Sequence, residues 1–127
     1  MNKKVFIAED HIELAKAMVS LFQDNGFEVT LANSKPEALA VIPVLQECGY
    51  KVAILDGDLG SGDKGARDGK VVSYALRKAI DNIVIIAHSG MIEVIDWADY
   101  KIDKLSTSPR KLLSKVNEIL TQCIQEG

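Results

Sequence analysis

Five side chains carry the chemical promise of this sequence: Glu9, Asp10, Asp56, Ser89 and Lys104. Each stands at or just beyond the end of a short apolar run. "KVFIA" (4–8) leads into Glu9 and Asp10, and "KVAIL" (51–55) leads into Asp56. "IVIIA" (83–87) leads through His88 to Ser89, and the weaker "YKID" (100–103) leads to Lys104. Three carboxylates brought within a few ångströms repel one another, and at least one has a raised pKa unless a cation compensates. A hard divalent ion answers that need, because Mg²⁺ takes a few carboxylate or carbonyl oxygens and keeps waters for the rest. Lysine adds a mobile point charge suited to a phosphoryl group, and a hydroxyl adds a hydrogen-bond donor. Metal, nucleophile, charge clamp and donor together make a site for phosphoryl transfer to a carboxylate, with Asp56 as the nucleophile. Taken singly, each residue has a plainer role. Asp10 reads as a helix cap, Ser89 as a turn and Lys104 as a solvated charge.

These five positions serve one site only if the fold brings them to one end, and the apolar pattern says that it does. "HIELAKAMVSLF" (11–22) has helical spacing with Gly26 as a stop, and "FEVTL" (27–31) alternates like a strand. Ser34 and Glu37 form a capping box with Pro36 in the first turn, and Pro43 should kink or end that helix near Ile42. "GKVVSYALRKAI" (69–80) reads as a helix. Ser108 and Pro109 open a last one through Leu112, Leu113, Val116, Ile119, Leu120 and Ile124. Strands that are apolar on both faces belong inside a parallel sheet covered by helices, with right-handed crossovers. Five such units make a doubly wound α/β sheet, whose binding crevice lies outside the carboxyl ends of the strands. That is where all five polar residues fall.

The stretch "VAILDGDLGSGDKGARDG" (52–69) holds Asp56, three more aspartates and five glycines. As the nucleophile, Asp56 must sit at the strand lip. The chain must then turn sharply to aim a backbone carbonyl at the same metal, and Gly57 eases that turn.

Bulk properties set the frame. The 127 residues suit one compact domain, and 47% hydrophobic content can bury a core without staples. A net charge of −3 argues against a phosphate-backbone binder, so no nucleic-acid partner is expected of this domain. No apolar run has the length of a membrane span, and the N-terminus lacks a signal-peptide pattern. Cys48 and Cys123 have no metal-type spacing and read as free, buried or half-buried thiols of an intracellular protein.

With these motifs assembled, the chain resembles the receiver domain of two-component response regulators, over residues 1–127. The resemblance rests on "VFIAEDH" (5–11), "VAILDGDLG" (52–60), "IVIIAHSG" (83–90) and "ADYKIDK" (98–104), in that order and at common strand ends. It implies a flavodoxin-like strand order of 2-1-3-4-5. It also implies a cytoplasmic phosphoacceptor, with Asp56 phosphorylated by a histidine kinase or histidine phosphotransfer protein. Mg²⁺ would be held by Asp10 and Asp56, by the backbone carbonyl of Asp58, and by Glu9 nearby through water. Ser89 would bind a phosphoryl oxygen and Lys104 would pair with it. Such a domain catalyses only its own phosphoryl transfer and dephosphorylation. A stand-alone receiver and one cut from a longer chain fit equally well.

The chain also departs from that pattern. Gly60 and Leu105 replace customary prolines, and the loop after Asp56 is longer than usual. Only 15 positions separate Ser89 from Lys104, so "MIEVIDWA" has room for about two helical turns. Lys101 stands where an aromatic switch residue is usual, with Tyr100 pointing to the other face. His88 replaces an apolar residue and reads as a partly exposed wall. Signal output is therefore expected to run through the loop at 57–68 and the segment at 89–97 rather than through the fifth strand.

Two rivals use the same residues. "AILDGDLG" also looks like the first motif of haloacid-dehalogenase-type phosphatases, with Asp56 as nucleophile and Asp58 as general acid/base, but that motif normally lies on a first strand. A degenerate receiver that only binds a protein is the other. A flavodoxin-like flavin binder fails, because "EDHIEL" offers no glycine-rich phosphate loop.

Overall fold

The computed structural model describes residues 2–62 and 66–126, with side chains described as far as Gln122. Gly65 of the glycine-rich loop and the side chains of Cys123 and Ile124 therefore lie outside the described residues. Strands β1 (Lys4–Ala8), β2 (Glu28–Ala32), β3 (Val52–Leu55), β4 (Val84–Ser89) and β5 (Tyr100–Asp103) form one sheet. All pairings are parallel and the order is β2-β1-β3-β4-β5, as the sequence led one to expect. Helices α1 (Ile12–Asp24), α2 (Lys35–Glu47) and α3 (Arg67–Ala79) follow the first three strands, and α4 (Pro109–Glu126) follows β5.

The uninterrupted apolar runs serve two layers at once. Val5, Ile7, Ile54 and Ile86 face Met18 and Phe22 of α1 and Leu112 and Val116 of α4. Their neighbours Phe6, Ala8, Ala53, Leu55, Ile85 and Ala87 face Leu45 of α2 and Val72 and Leu76 of α3. Alternate residues of a strand point to opposite faces, so a strand covered on both sides must be apolar throughout.

Local chemistry sets the helix ends. His11 is the N-cap of α1, its Nδ1 accepting from the Leu14 N–H at 3.2 Å. Asp10 is thereby released from the capping role that it could have filled. Ser34 caps α2 through the Glu37 N–H, while the Glu37 carboxylate accepts from the Asn33 N–H at 3.1 Å. Pro43 does not end α2 at Ile42. The helix continues to Glu47, with Pro43 on its exposed side and Ala38, Ile42 and Leu45 buried. Burial of that face outweighs the backbone bond that proline removes. Cys48, just after the helix, is exposed rather than half-buried.

The β4–β5 crossover differs most from expectation. In place of two helical turns, a single 3₁₀ turn forms at Ile92–Val94 and the chain then reaches β5 through bends at Trp97 and Asp99. Ile95 and Trp97 are 3% and 5% exposed and pack into the α2/α3 layer where a helix would otherwise lie. Arg77 fastens the segment from α3, donating to the Trp97 carbonyl at 3.0 Å and pairing with Asp99 at 3.2 Å. Asp99 also accepts from the Ile85 N–H at 2.8 Å. Two buried anchors and one ion pair hold this short connection, and a complete helix with two linkers would not fit the same span.

Candidate functional site

The carboxyl ends of β1 and β3 lie side by side, with Ala8 paired to Leu55. The Asp56 N–H donates to the Ala8 carbonyl at 3.0 Å, which extends the ladder one step beyond β3 and holds Asp56 at the lip. Glu9 is tied in the same way on the other side, its N–H donating to the Ala32 carbonyl at 3.0 Å. Lys104 follows β5, and its N–H donates to the Ser89 carbonyl at 3.0 Å. Backbone register, not loop chance, therefore converges these side chains.

The result is a compact ionic cluster. The Lys104 ammonium lies 2.7 Å from Asp56 Oδ2 and 2.8 Å from Glu9 Oε1. Glu9 and Asp56 are buried at 1% and 6% exposure, and Asp10 is half-buried beside them. One oxygen from each of Glu9, Asp10 and Asp56 lies within 4.8 Å of the others. Burial pushes the Asp56 carboxyl up to about 6. The Lys104 hydrogen bond opposes that rise, and the neighbouring Glu9 charge adds to it. Burial and the Asp56 charge also raise Asp10. Burial alone would depress Lys104, but its bonds to Asp56 and Glu9 outweigh this and hold the ammonium above its ordinary range. Three carboxylates against one ammonium leave negative charge uncompensated. All-oxygen donors of this kind fit Mg²⁺ in size and hardness.

Ser89 ends β4 and is fully buried. Its Oγ accepts from the Met91 N–H at 3.1 Å, which leaves the hydroxyl hydrogen uncommitted among the described residues. A Cβ on Gly57 would lie 2.5 Å from the Ala66 Cβ and 3.4 Å from Ser89 Oγ. Gly57 is needed for this close approach, not for a left-handed backbone. Asp58 behaves differently from the other acids. Its carboxylate accepts from the N–H groups of Gly60 and Gly62, both at 3.0 Å, and so shapes the loop.

His88 is buried at 2% exposure, not partly exposed. It lies on the α1/α4 side of β4, in strand register with Ile102, and its Nδ1 has no hydrogen-bond partner among the described residues. Burial, and secondarily the Lys104 charge, lower its pKa to about 4, so it is neutral at physiological pH.

Sequence reading overlooked Asp68. This buried carboxylate accepts from the Leu59 N–H at 2.8 Å and the Ser61 hydroxyl at 2.7 Å, with the Lys35 ammonium 3.6 Å away. Burial works against its charge, yet these bonds hold its pKa below the ordinary range. It staples the loop after Asp56 to the start of α3. The signal was an acid in the first turn of a helix, preceded by a loop with a serine and backbone N–H donors. Gly69 is a second omission. A Cβ there would fall 2.6 Å from the Trp97 ring and 2.7 Å from the Asp56 carbonyl, so the crossover reaches almost to the acidic site.

Comparison with solved structures agrees with this architecture. A CheY-like response regulator receiver domain protein from Methanospirillum hungatei is 23% identical with a TM-score of 0.79, covering 100% of both chains. The receiver domain of a Francisella response regulator is 26% identical with a TM-score of 0.77, covering 96% of this chain and 99% of that one. The response regulator TrrA from Thermotoga maritima, solved in complex with Mg²⁺–BeF, is 21% identical with a TM-score of 0.73, covering 91% and 97%. No family model and no curated protein matches the sequence.

Proposed function

From a chain built on the receiver-domain fold of the response regulators, we propose a phosphoacceptor receiver in two-component signalling, with Asp56 as its phosphorylation site. The observation that carries this reading is the shared Lys104 ammonium, 2.7 Å from Asp56 and 2.8 Å from Glu9, with Asp10 completing the acidic cluster. An Asp56 carboxylate oxygen attacks phosphorus, the P–N bond to a donor phosphohistidine breaks, and an acyl phosphate forms on Asp56. The histidine nitrogen leaves with its electron pair and takes up a proton. Lys104 then exchanges its contact with the Asp56 carboxylate for one with a phosphoryl oxygen, and Ser89 donates its hydroxyl hydrogen to another. Water later attacks phosphorus, the bond to the Asp56 oxygen breaks, inorganic phosphate leaves and the carboxylate is restored. Bound Mg²⁺, held by Asp10, Asp56 and the Asp58 carbonyl with Glu9 beside it, would neutralise charge on the transferring group.

The donor is a histidine kinase or histidine phosphotransfer protein, and the domain acts in the cytoplasm with them. Among the described residues no helix is long and apolar enough to cross a membrane. The phosphatase alternative is disfavoured by Asp58, whose Oδ1 accepts from the Gly60 and Gly62 N–H groups and so ties the side chain into the loop. Incubation with acetyl phosphate and Mg²⁺, followed by intact mass, tests the reading. One phosphoryl group should add to the wild type and none to Asp56→Asn. Uptake that persists in Asp56→Asn would overturn the assignment.

A further inference from the structure

A second concavity, separate from the acidic cluster, opens between α3 and the β4–β5 crossover. It encloses about 420 Å³, with Arg67, Lys70, Val71 and Tyr74 on the helix wall, which is therefore basic, and Val94, Asp96 and Trp97 on the crossover wall. Six large hydrophobic side chains are exposed among the described residues, and three of them line this groove: Val71, Tyr74 and Val94 at 44%, 58% and 52%. Scattered exposed apolar residues need no explanation, but a cluster around one groove marks a contact surface. The groove lies between α3 and a crossover that makes only one short 3₁₀ turn.

We propose that this groove is a self-association surface and that its occupant is the same groove of a second copy of the chain. The charges select that occupant. Lys70 stands on the helix wall and Asp96 on the crossover wall, and neither has an ion-pair partner among the described residues. The Lys70 ammonium instead rests 5.8 Å from the centre of the Tyr74 ring. In a two-fold contact the same patch meets itself, so α3 of one copy faces the crossover of the other. Lys70 then meets Asp96 of the second copy, Asp96 meets its Lys70, and Tyr74, Val71 and Val94 pack near the axis. A patch of one sign would repel itself. A purely acidic or purely basic segment would meet a like charge on one wall. The groove contributes fewer than the roughly 20–30 residues a side of a standard stable interface, so the association is weak and concentration-dependent.

Sedimentation of the full chain from micromolar to millimolar concentration tests this, whether or not Asp56 is phosphorylated. The wild type should show a monomer–dimer equilibrium. Tyr74→Glu should weaken it at least about tenfold, as loss of a central aromatic does. Lys70→Glu and Asp96→Lys should each weaken it about fivefold or more, because each breaks two symmetry-related pairs. The double variant should return to within about threefold of wild type, since the exchanged charges can pair again. Circular dichroism checks that each variant folds, and Tyr74→Ser replaces Tyr74→Glu if the latter does not. A wild type that stays monomeric throughout would overturn the proposal. So would a dimer indifferent to all of these variants, or a double variant no better than the single ones.

Discussion

The acidic end of β1 and β3 and the crossover between β4 and β5 are solved by opposite means. At the acidic end, backbone ladders place charged groups where their mutual repulsion is unfavourable, and one ammonium holds part of it in check. Burial raises the Asp56 carboxyl to about 6, so its charged form is held against an unfavourable environment. At the crossover, regular structure is abandoned and apolar anchors take its place. Trp97 lies against Gly69, and Arg77 and Asp99 close the segment down. Stability is spent at one region and gathered at the other. Substitutions should therefore have opposite signatures in the two places.

The largest stability effect should come from Trp97→Ala. Removing a buried aromatic leaves a cavity and costs about 3–5 kcal/mol, read as a lower denaturation midpoint, while Mg²⁺ binding by the folded fraction persists. Trp97→Phe sharpens the point. The indole N–H is buried with no acceptor among the described residues, so this variant loses little packing and no hydrogen bond. It should cost less than about 1.5 kcal/mol.

His88 provides the next effect, through pH. Its folded pKa of about 4 lies below the ordinary value of 6.5, so the unfolded chain binds its proton first on acidification. Stability from this group is full above pH 6.5 and is lost progressively between pH 6.5 and 4. The total is at most about 3 kcal/mol. His88→Leu should flatten the stability profile over that window when urea midpoints are compared at pH 7.5 and 5. An unchanged slope would mean that His88 takes up its proton at the same pH in the fold as in the unfolded chain.

At the acidic end the sign reverses. Asp10→Asn removes one charge from a repelling set, so it should leave stability unchanged or raise it by up to about 1 kcal/mol. The same variant should weaken Mg²⁺ binding at least about tenfold in a calorimetric titration, because a hard anionic oxygen is lost. Undiminished affinity would place the cation elsewhere.

These contrasts track what could be read in the sequence. Glu9, Asp10, Asp56, Ser89 and Lys104 were legible because each terminates an apolar run, and parallel register turns that one-dimensional fact into convergence in space. The strand order followed from the family resemblance that those motifs carry. The crossover was less legible. The spacing from Ser89 to Lys104 showed that it was short, but "MIEVIDWA" does not disclose that Trp97 will take a helix's place against Gly69. That outcome depends on a gap left by α3. His88 was misjudged for a similar reason, because α1 and α4 cover the face of β4 on which it lies, and strand position alone does not reveal the cover. Asp68 was missed because its partners are backbone N–H groups of the loop, the Ser61 hydroxyl and the sequence-distant Lys35, a set that only the folded loop brings together.

The smallest expected effect concerns how the two regions communicate. Lys101 is exposed on β5 and its ammonium donates to the Ile95 carbonyl at 3.3 Å. A lysine is costly to bury unpaired, so it does not take an inward position as an aromatic could. The route open to Asp56 is shorter. The Gly69 N–H donates to the Gly57 carbonyl at 2.9 Å, and the Asp56 carbonyl and the Trp97 ring both crowd the space where a Cβ on Gly69 would stand. A displacement at Asp56 thus reaches α3 and the crossover without passing through β5. Hydrogen exchange with and without Mg²⁺ and beryllofluoride reads this directly. Protection should rise several-fold at residues 57–62 and 89–97, on the order of 1 kcal/mol of local stability, and change less at 100–103. Changes concentrated on β5, with 57–62 unaltered, would show that the signal leaves by the strand after all and that the crossover is only a structural substitute for a helix.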